Sequence, residues 1–189
     1  MLITSGSHYV YDRSGLYDLR WLPECIHREP VRWISMHAGI EEPSLLLRSL
    51  FPRSHGQIHD IYDPSEMTEL SIRRARRLAA TSSSSASPTL SAPGELFETA
   101  FLIFAAHELR GRQARERLFC QIAQTLCKGG ELVLVEHVRD WCNFLAFGPG
   151  FLHFFSQGTW QAAAQSAGLH TRLHRKVTPF VHVFVFRAG

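Results

Sequence analysis

Two mostly apolar, non-alternating runs joined by an amphipathic stretch constrain this chain more than any other feature. Within residues 94–138, Phe97 to Ala106 is apolar and ends in His107-Glu108-Leu109. A basic amphipathic segment follows, then Lys128-Gly129-Gly130, then a second apolar run from Glu131 to Val135 that ends in Glu136-His137. Neither run alternates. Continuous runs of this length predict parallel strands covered on both faces, with the segment between them as the crossover helix. The expectation is an α/β, Rossmann-like, doubly wound and mostly parallel sheet. Polar residues gather at both strand ends, where open α/β sheets bind their ligands.

The remaining segments can be fitted around that unit. Val31 to Met36 reads as the first strand, entering a turn at His37-Ala38-Gly39. Glu41 to Leu50 reads as a helix with carboxylates in its first turn, ending before Pro52. Gly56 to Tyr62 is the second strand candidate, ending at Asp63-Pro64-Ser65-Glu66-Met67, with a helix from Met67 to Ala80. Residues 81–93, rich in Ser and Pro, read as a flexible surface loop. They stand where a third strand is due, so that strand is either degenerate around Thr89-Leu90 or missing. Ser156-Gln157-Gly158-Thr159 offers an N-cap to a helix over Trp160–Ala167, which Gly168 ends. Leu169 to Val177 and Phe180 to Arg187 read as a C-terminal antiparallel hairpin. The domain expectation is an N-terminal cap segment over 1–30, with Leu16, Leu19, Leu22 and Trp21 as a short amphipathic helix ending at Pro23, followed by one α/β domain over 31–189.

Composition narrows the class. The 189 residues are 45% hydrophobic and 20% charged with a net charge of +3, ordinary for a globular domain. Four cysteines without a C-x-x-C pair fit a reducing compartment rather than a disulfide scaffold. No signal-peptide pattern opens the chain, and no segment approaches the ~20 apolar residues of a spanning helix. The expected location is cytoplasmic. The arginine clusters, Arg73 to Arg77 and Arg110 to Arg117, lack the aromatic interleaving of a base-binding channel, which argues against nucleic acid. No short ligand spacing supports a metal site.

The order of elements and several motifs resemble the class I S-adenosylmethionine-dependent methyltransferases, in particular the ubiquinone/menaquinone methyltransferase-like branch. The resemblance covers Val31 to Arg187 and rests on three stretches. Tyr62-Asp63-Pro64-Ser65-Glu66-Met67 is similar to the family's second-strand ending, where an acidic residue binds the cofactor's ribose. Phe97 to Leu109 is similar to its fourth strand and following loop, and Leu118 to Val135 to its approach to the fifth strand with a glycine pair. The resemblance implies S-adenosylmethionine as cofactor, contacted by His37, Gly39, Asp63, Phe104 and Ala105. It departs at the first turn, where Gly39 alone stands in place of several glycines. It departs also in the serine-rich loop, which offers no acidic adenine contact.

His107 and His137 are the candidate catalytic residues, because a histidine at a strand end can take a proton from a phenol, amine or enol during methyl transfer. A plainer role for His107 and Glu108 is to hydrogen-bond the loop and cap a helix. Trp141 to Phe155, rich in aromatic residues and broken at Gly148-Pro149-Gly150, is either a lid for an apolar acceptor or packing beneath the last helix. The expected function is methyl transfer to a small or apolar acceptor, in a chain free to form a homo- or hetero-oligomer. The alternative is a catalytically silent relative serving as a binding or scaffolding subunit.

Overall fold

The computed structural model describes Leu16 and residues 18–39, 41–79 and 96–189. Six strands form one sheet: β1 (Arg32–His37), β2 (His55–Asp60), β3 (Phe97–Ile103), β4 (Leu126–His137), β5 (Leu169–Lys176) and β6 (Val181–Ala188). Their spatial order is β2-β1-β3-β4-β6-β5. The first four pair in parallel, β6 runs antiparallel to β4, and β5 runs antiparallel to β6 at the edge. The doubly wound sheet with its C-terminal hairpin is therefore the architecture the apolar runs predict. The serine-rich loop and the Thr89-Leu90 strand reading lie outside the described residues.

Period-two alternation explains why the central strands read as continuous apolar runs. Ile34, Met36, Ala100, Leu102, Leu132, Leu134, Phe184 and Phe186 point into one core cluster. Helix α3 (Arg112–Thr125) covers that face with Ala114, Leu118, Phe119 and Ile122, and α5 (Gln157–Ser166) covers it with Trp160, Ala163 and Ala164. Trp33, Phe101, Ile103, Val133, Val135, Val183 and Val185 point to the other face. There they meet Leu47 of α1 (Glu42–Leu50), Phe51, and Leu16, Leu19, Leu22, Cys25 and Ile26 of the N-terminal segment. Both layers are dry, so both strand faces must be apolar.

Several boundaries move from the sequence expectation. The N-terminal leucines do not form a helix ending at Pro23. Pro23 lies inside a single 3-10 turn, Leu22–Glu24, which suits a residue whose fixed φ favours a helix start. The described part of this segment lies on a sheet face and is clasped there by Glu131. That carboxylate takes Arg172 Nε at 2.5 Å and the backbone N–H of His27 at 3.0 Å. β2 ends at Asp60 rather than Tyr62, and the helix after it, α2, spans Leu70–Ala79. β4 begins at Leu126, ahead of the glycine pair, which sits in an irregular stretch opposite Phe97 to Thr99. The aromatic stretch after β4 forms a short helix, α4 (Trp141–Phe147), and a 3-10 helix, Gly148–His153. α5 carries the expected cap, with Ser156 Oγ accepting the Thr159 N–H.

Packing at β2 gives a direct test of the buried layer. Gly56 lies beside Trp33 in register, and a Cβ there would come within 2.0 Å of the fully buried indole. Gly56→Ala is expected to cost about 1–3 kcal/mol of unfolding free energy, since the ring has no room to retreat. Urea denaturation of the two proteins checks this.

Candidate functional site

The sheet has one topological switch point. From β1 the chain passes through α1 to β2 on one side, then crosses to β3 on the other side of β1. Open sheets bind ligands outside the carboxyl ends of the two strands at such a reversal. Those ends here are His37-Ala38-Gly39 after β1 and Phe104-Ala105 after β3, flanked by Asp60 on β2 and Glu136-His137 on β4.

On the β1 side, His37 is buried and its Nδ1 accepts the backbone N–H of Gly39 at 3.2 Å. Burial pulls its pKa below the ordinary value, against the opposing pull of the Asp60 carboxylate. A neutral ring that accepts at Nδ1 carries its proton on Nε2. That Nε2 is buried and has no hydrogen-bond partner among the described residues. Gly39 sits at φ +143, a conformation that suits glycine alone. Asp60 ends β2 with Oδ1 accepting the Tyr62 N–H at 3.0 Å and Oδ2 paired with Arg76 Nη1 at 2.7 Å. Asp63 stands outside this group. It is exposed, three residues past the strand, and its Oδ1 closes a turn on the Ser65 N–H and hydroxyl. Those bonds from Ser65 hold its carboxyl below the usual range.

On the β3–β4 side, Glu136 is 1% exposed and accepts three hydrogen bonds. The N–H groups of Ala106 and His107 reach Oε1 at 2.9 and 3.2 Å, and His107 Nδ1 lies 2.9 Å from Oε2. Glu108 Oε1 is 3.5 Å from His107 Nε2 on the other edge of the ring. Burial alone would strip the proton from His107, but the carboxylates of Glu136 and Glu108 outweigh it and push its pKa up to about 10. His107 is an imidazolium. Phe104 just before it is left-handed at φ 51, an uncommon conformation for a bulky residue and one that collects at functional sites.

His137 has the opposite character. Its Nδ1 lies 3.0 Å from the Phe180 carbonyl oxygen, which can only accept, so Nδ1 carries the proton and Nε2 the lone pair. Burial drives its pKa below the ordinary value. Phe154 stacks on the ring at 4.8 Å, and Phe104 and Phe147 each stand 5.5 Å away. His153 links this aromatic wall to His107, with ring centroids 5.8 Å apart. The segment 141–155 therefore both lines the rim, through Phe147, His153 and Phe154, and exposes Trp141 and Leu145. Among the described residues no three His, Cys, Asp or Glu side chains could share a metal ion.

No protein-family model and no curated protein matches the chain. Solved structures match it closely in fold. The pyocyanin biosynthetic protein PhzM superposes with a TM-score of 0.67 at 13% identity, over 93% of this chain and 55% of that one. Human N-acetylserotonin methyltransferase, solved in complex with SAM, gives 0.63 at 14% identity, over 97% and 53%. A SAM-dependent methyltransferase from Aquifex aeolicus gives 0.66 at 12%, over 94% of each chain. The fold is that of the class I S-adenosylmethionine-dependent methyltransferases. The chain spans about half the length of the first two of these proteins.

The residues at the switch point fit the cofactor this fold family uses. A methyltransferase cradle needs close backbone approach, an acceptor for two ribose hydroxyls and polar donors for the amino-acid end. Gly39 and the His37 Nε2–H, unpartnered among the described residues, have the first and last of those properties, and the Asp60 carboxylate is the acceptor there, engaged in this structure by the Tyr62 N–H and Arg76. Of the residues singled out from sequence, His37, Gly39, Phe104, Ala105, His107 and His137 all end or follow strands at this rim. Asp60, three residues ahead of the sequence candidate Asp63, is the carboxylate that ends β2 at this rim.

The site's electrostatics can be read by titration. The His107 imidazole is expected to stay protonated up to about pH 10, and His137 to take up its proton only at a pH below the ordinary histidine value, because burial disfavours the charged ring; NMR of the two rings follows both. His107 gains its proton-dependent stability from a raised folded-state pKa. That contribution is whole below the ordinary value of 6.5 and is lost as pH rises through about 10. Glu136→Gln is expected to cost about 3–5 kcal/mol at neutral pH, as for removal of one partner of a buried pair, with the deficit narrowing toward pH 10.

Proposed function

We propose that this chain is a methyl-transfer domain that uses S-adenosylmethionine and delivers the methyl group to a small, largely apolar acceptor bearing an ionisable oxygen or nitrogen. The observation that carries the reading is the pair of histidines at the switch-point rim, held in opposite protonation states beside Gly39 and Asp60. Environments that push two titratable groups apart assign their roles. His137, neutral with its lone pair on Nε2, is the proton acceptor for the acceptor's hydroxyl or amine. His107, an imidazolium fixed between Glu136 and Glu108, has both ring nitrogens turned to carboxylates and holds the loop after β3 in place beside His137.

The remaining groups bind and exclude water. Asp60 accepts the ribose hydroxyls, Gly39 and Ala105 let the ligand approach the backbone, and Phe104, Phe147 and Phe154 enclose an apolar acceptor beside His137. S-adenosylmethionine, when bound, would supply an electrophilic sulfonium methyl with a neutral thioether as its leaving group. The protein's part is alignment and removal of one proton. The pairing of Asp60 with Arg76 favours a second reading, a relative that no longer takes cofactor and serves as a binding subunit.

Calorimetric titration with S-adenosylhomocysteine separates the two. Micromolar binding that weakens at least tenfold in Asp60→Asn supports the transferase, and no binding at millimolar ligand supports the silent relative. With a methyl acceptor in hand, His137→Ala is expected to lower kcat by about 10²–10⁴ while leaving cofactor affinity unchanged, as for loss of a general base. An equal loss of affinity would assign His137 to binding instead.

A further inference from the structure

Arg76 lies where a ligand at this rim would have to go. Its stem runs along the bare face of Gly39, so that a Cβ on that glycine would meet Arg76 Cγ at 2.7 Å. Its guanidinium pairs with Asp60 Oδ2 at 2.7 Å, donates to the Ala38 carbonyl at 3.2 Å, and stacks over the Tyr62 ring at 4.1 Å. Three features of the cradle, the open glycine, the turn carbonyl and the strand-end carboxylate, are thus engaged by one side chain of this chain. Asp60 is 7% exposed and its other oxygen is already committed to Tyr62. A vicinal diol seeking that carboxylate meets the guanidinium first.

We propose that Arg76 is a built-in competitor for the diol site, and that a nucleoside ligand binds by displacing its guanidinium from Asp60. This rests on the reading of the rim as a nucleoside cradle. The exchange is physically balanced. The Arg76 side chain is 27% exposed and enters from α2, at the margin of the site, so the displaced guanidinium returns to water rather than to a buried pocket. Asp60 meanwhile exchanges the guanidinium donor on Oδ2 for hydroxyl donors, keeps the Tyr62 N–H on Oδ1, and is never left unpaired. Apparent affinity is the intrinsic affinity reduced by the fraction of molecules with the latch open. Arg76 therefore sets how much ligand is needed to load the site.

Arg76→Met keeps the stem against Gly39 and Tyr62 but removes the guanidinium. Calorimetry with S-adenosylhomocysteine is expected to show about tenfold tighter binding in this variant, as for a site open in one molecule of ten. Adenosine should show the same gain and 2′-deoxyadenosine none, because only the intact diol competes for Asp60. Arg76→Gln, which retains a donor without the charge, carries the comparison if the methionine variant does not fold. Unchanged or weaker binding in a folded variant, with the wild type binding, would overturn the competition and leave the cradle reading standing. An equal gain for 2′-deoxyadenosine would overturn it as well. Absence of binding in every protein would overturn both.

Discussion

The Glu136 carboxylate is the contact on which the carboxyl ends of β3 and β4 depend. It is wholly buried at the end of β4 and takes three donors from the loop that leaves β3. A buried carboxylate is tolerable only when its lone pairs are filled, and here the backbone of Ala106 and the backbone and ring of His107 fill them. The loop cannot move without exposing that charge. The same bonds set the protonation of His107 and fix its ring. With the loop held, the left-handed turn at Phe104 places the Phe104 ring 5.5 Å from that of His137. One ion pair thus ties together two strand ends, a strained turn and the charge of a histidine.

Two chemically similar motifs acquire opposite electrostatics in this arrangement. His107-Glu108 and Glu136-His137 look interchangeable along the chain, yet one ring lies between carboxylates and the other among phenylalanines and a carbonyl. The difference comes from β-sheet alternation. Glu136 points to the face that receives the loop after β3, and His137, one residue on, points to the other. Identical residue types therefore end as a fixed cation and a neutral base.

The fold was legible where burial imposes a pattern. Two-sided cover makes β3 and β4 continuous apolar runs, Ser156 caps α5, and the valine-phenylalanine alternation near the C-terminus becomes β6. The cofactor side was less legible, for physical reasons. β2 reads His-Gly-Gln-Ile-His-Asp, half exposed at the sheet edge, so no apolar run marks its end and the sequence placed that end at Tyr62 rather than Asp60. Arg76 belongs to a run of arginines that reads as a solvated helix face. Its bond to Asp60 spans 16 residues and depends on how α2 packs, which no local spacing encodes. The protonation of His107 and His137 likewise follows from partners across the sheet.

The central claim is that the carboxyl ends of β1, β2 and β3 form one ligand site at the switch point. Hydrogen–deuterium exchange of the intact chain with and without saturating S-adenosylhomocysteine tests it most directly. The account predicts slowed exchange together at residues 36–39, 59–63 and 104–108, with the β5–β6 hairpin unchanged. Protection elsewhere on the molecule, with these three stretches exchanging as before, would contradict it.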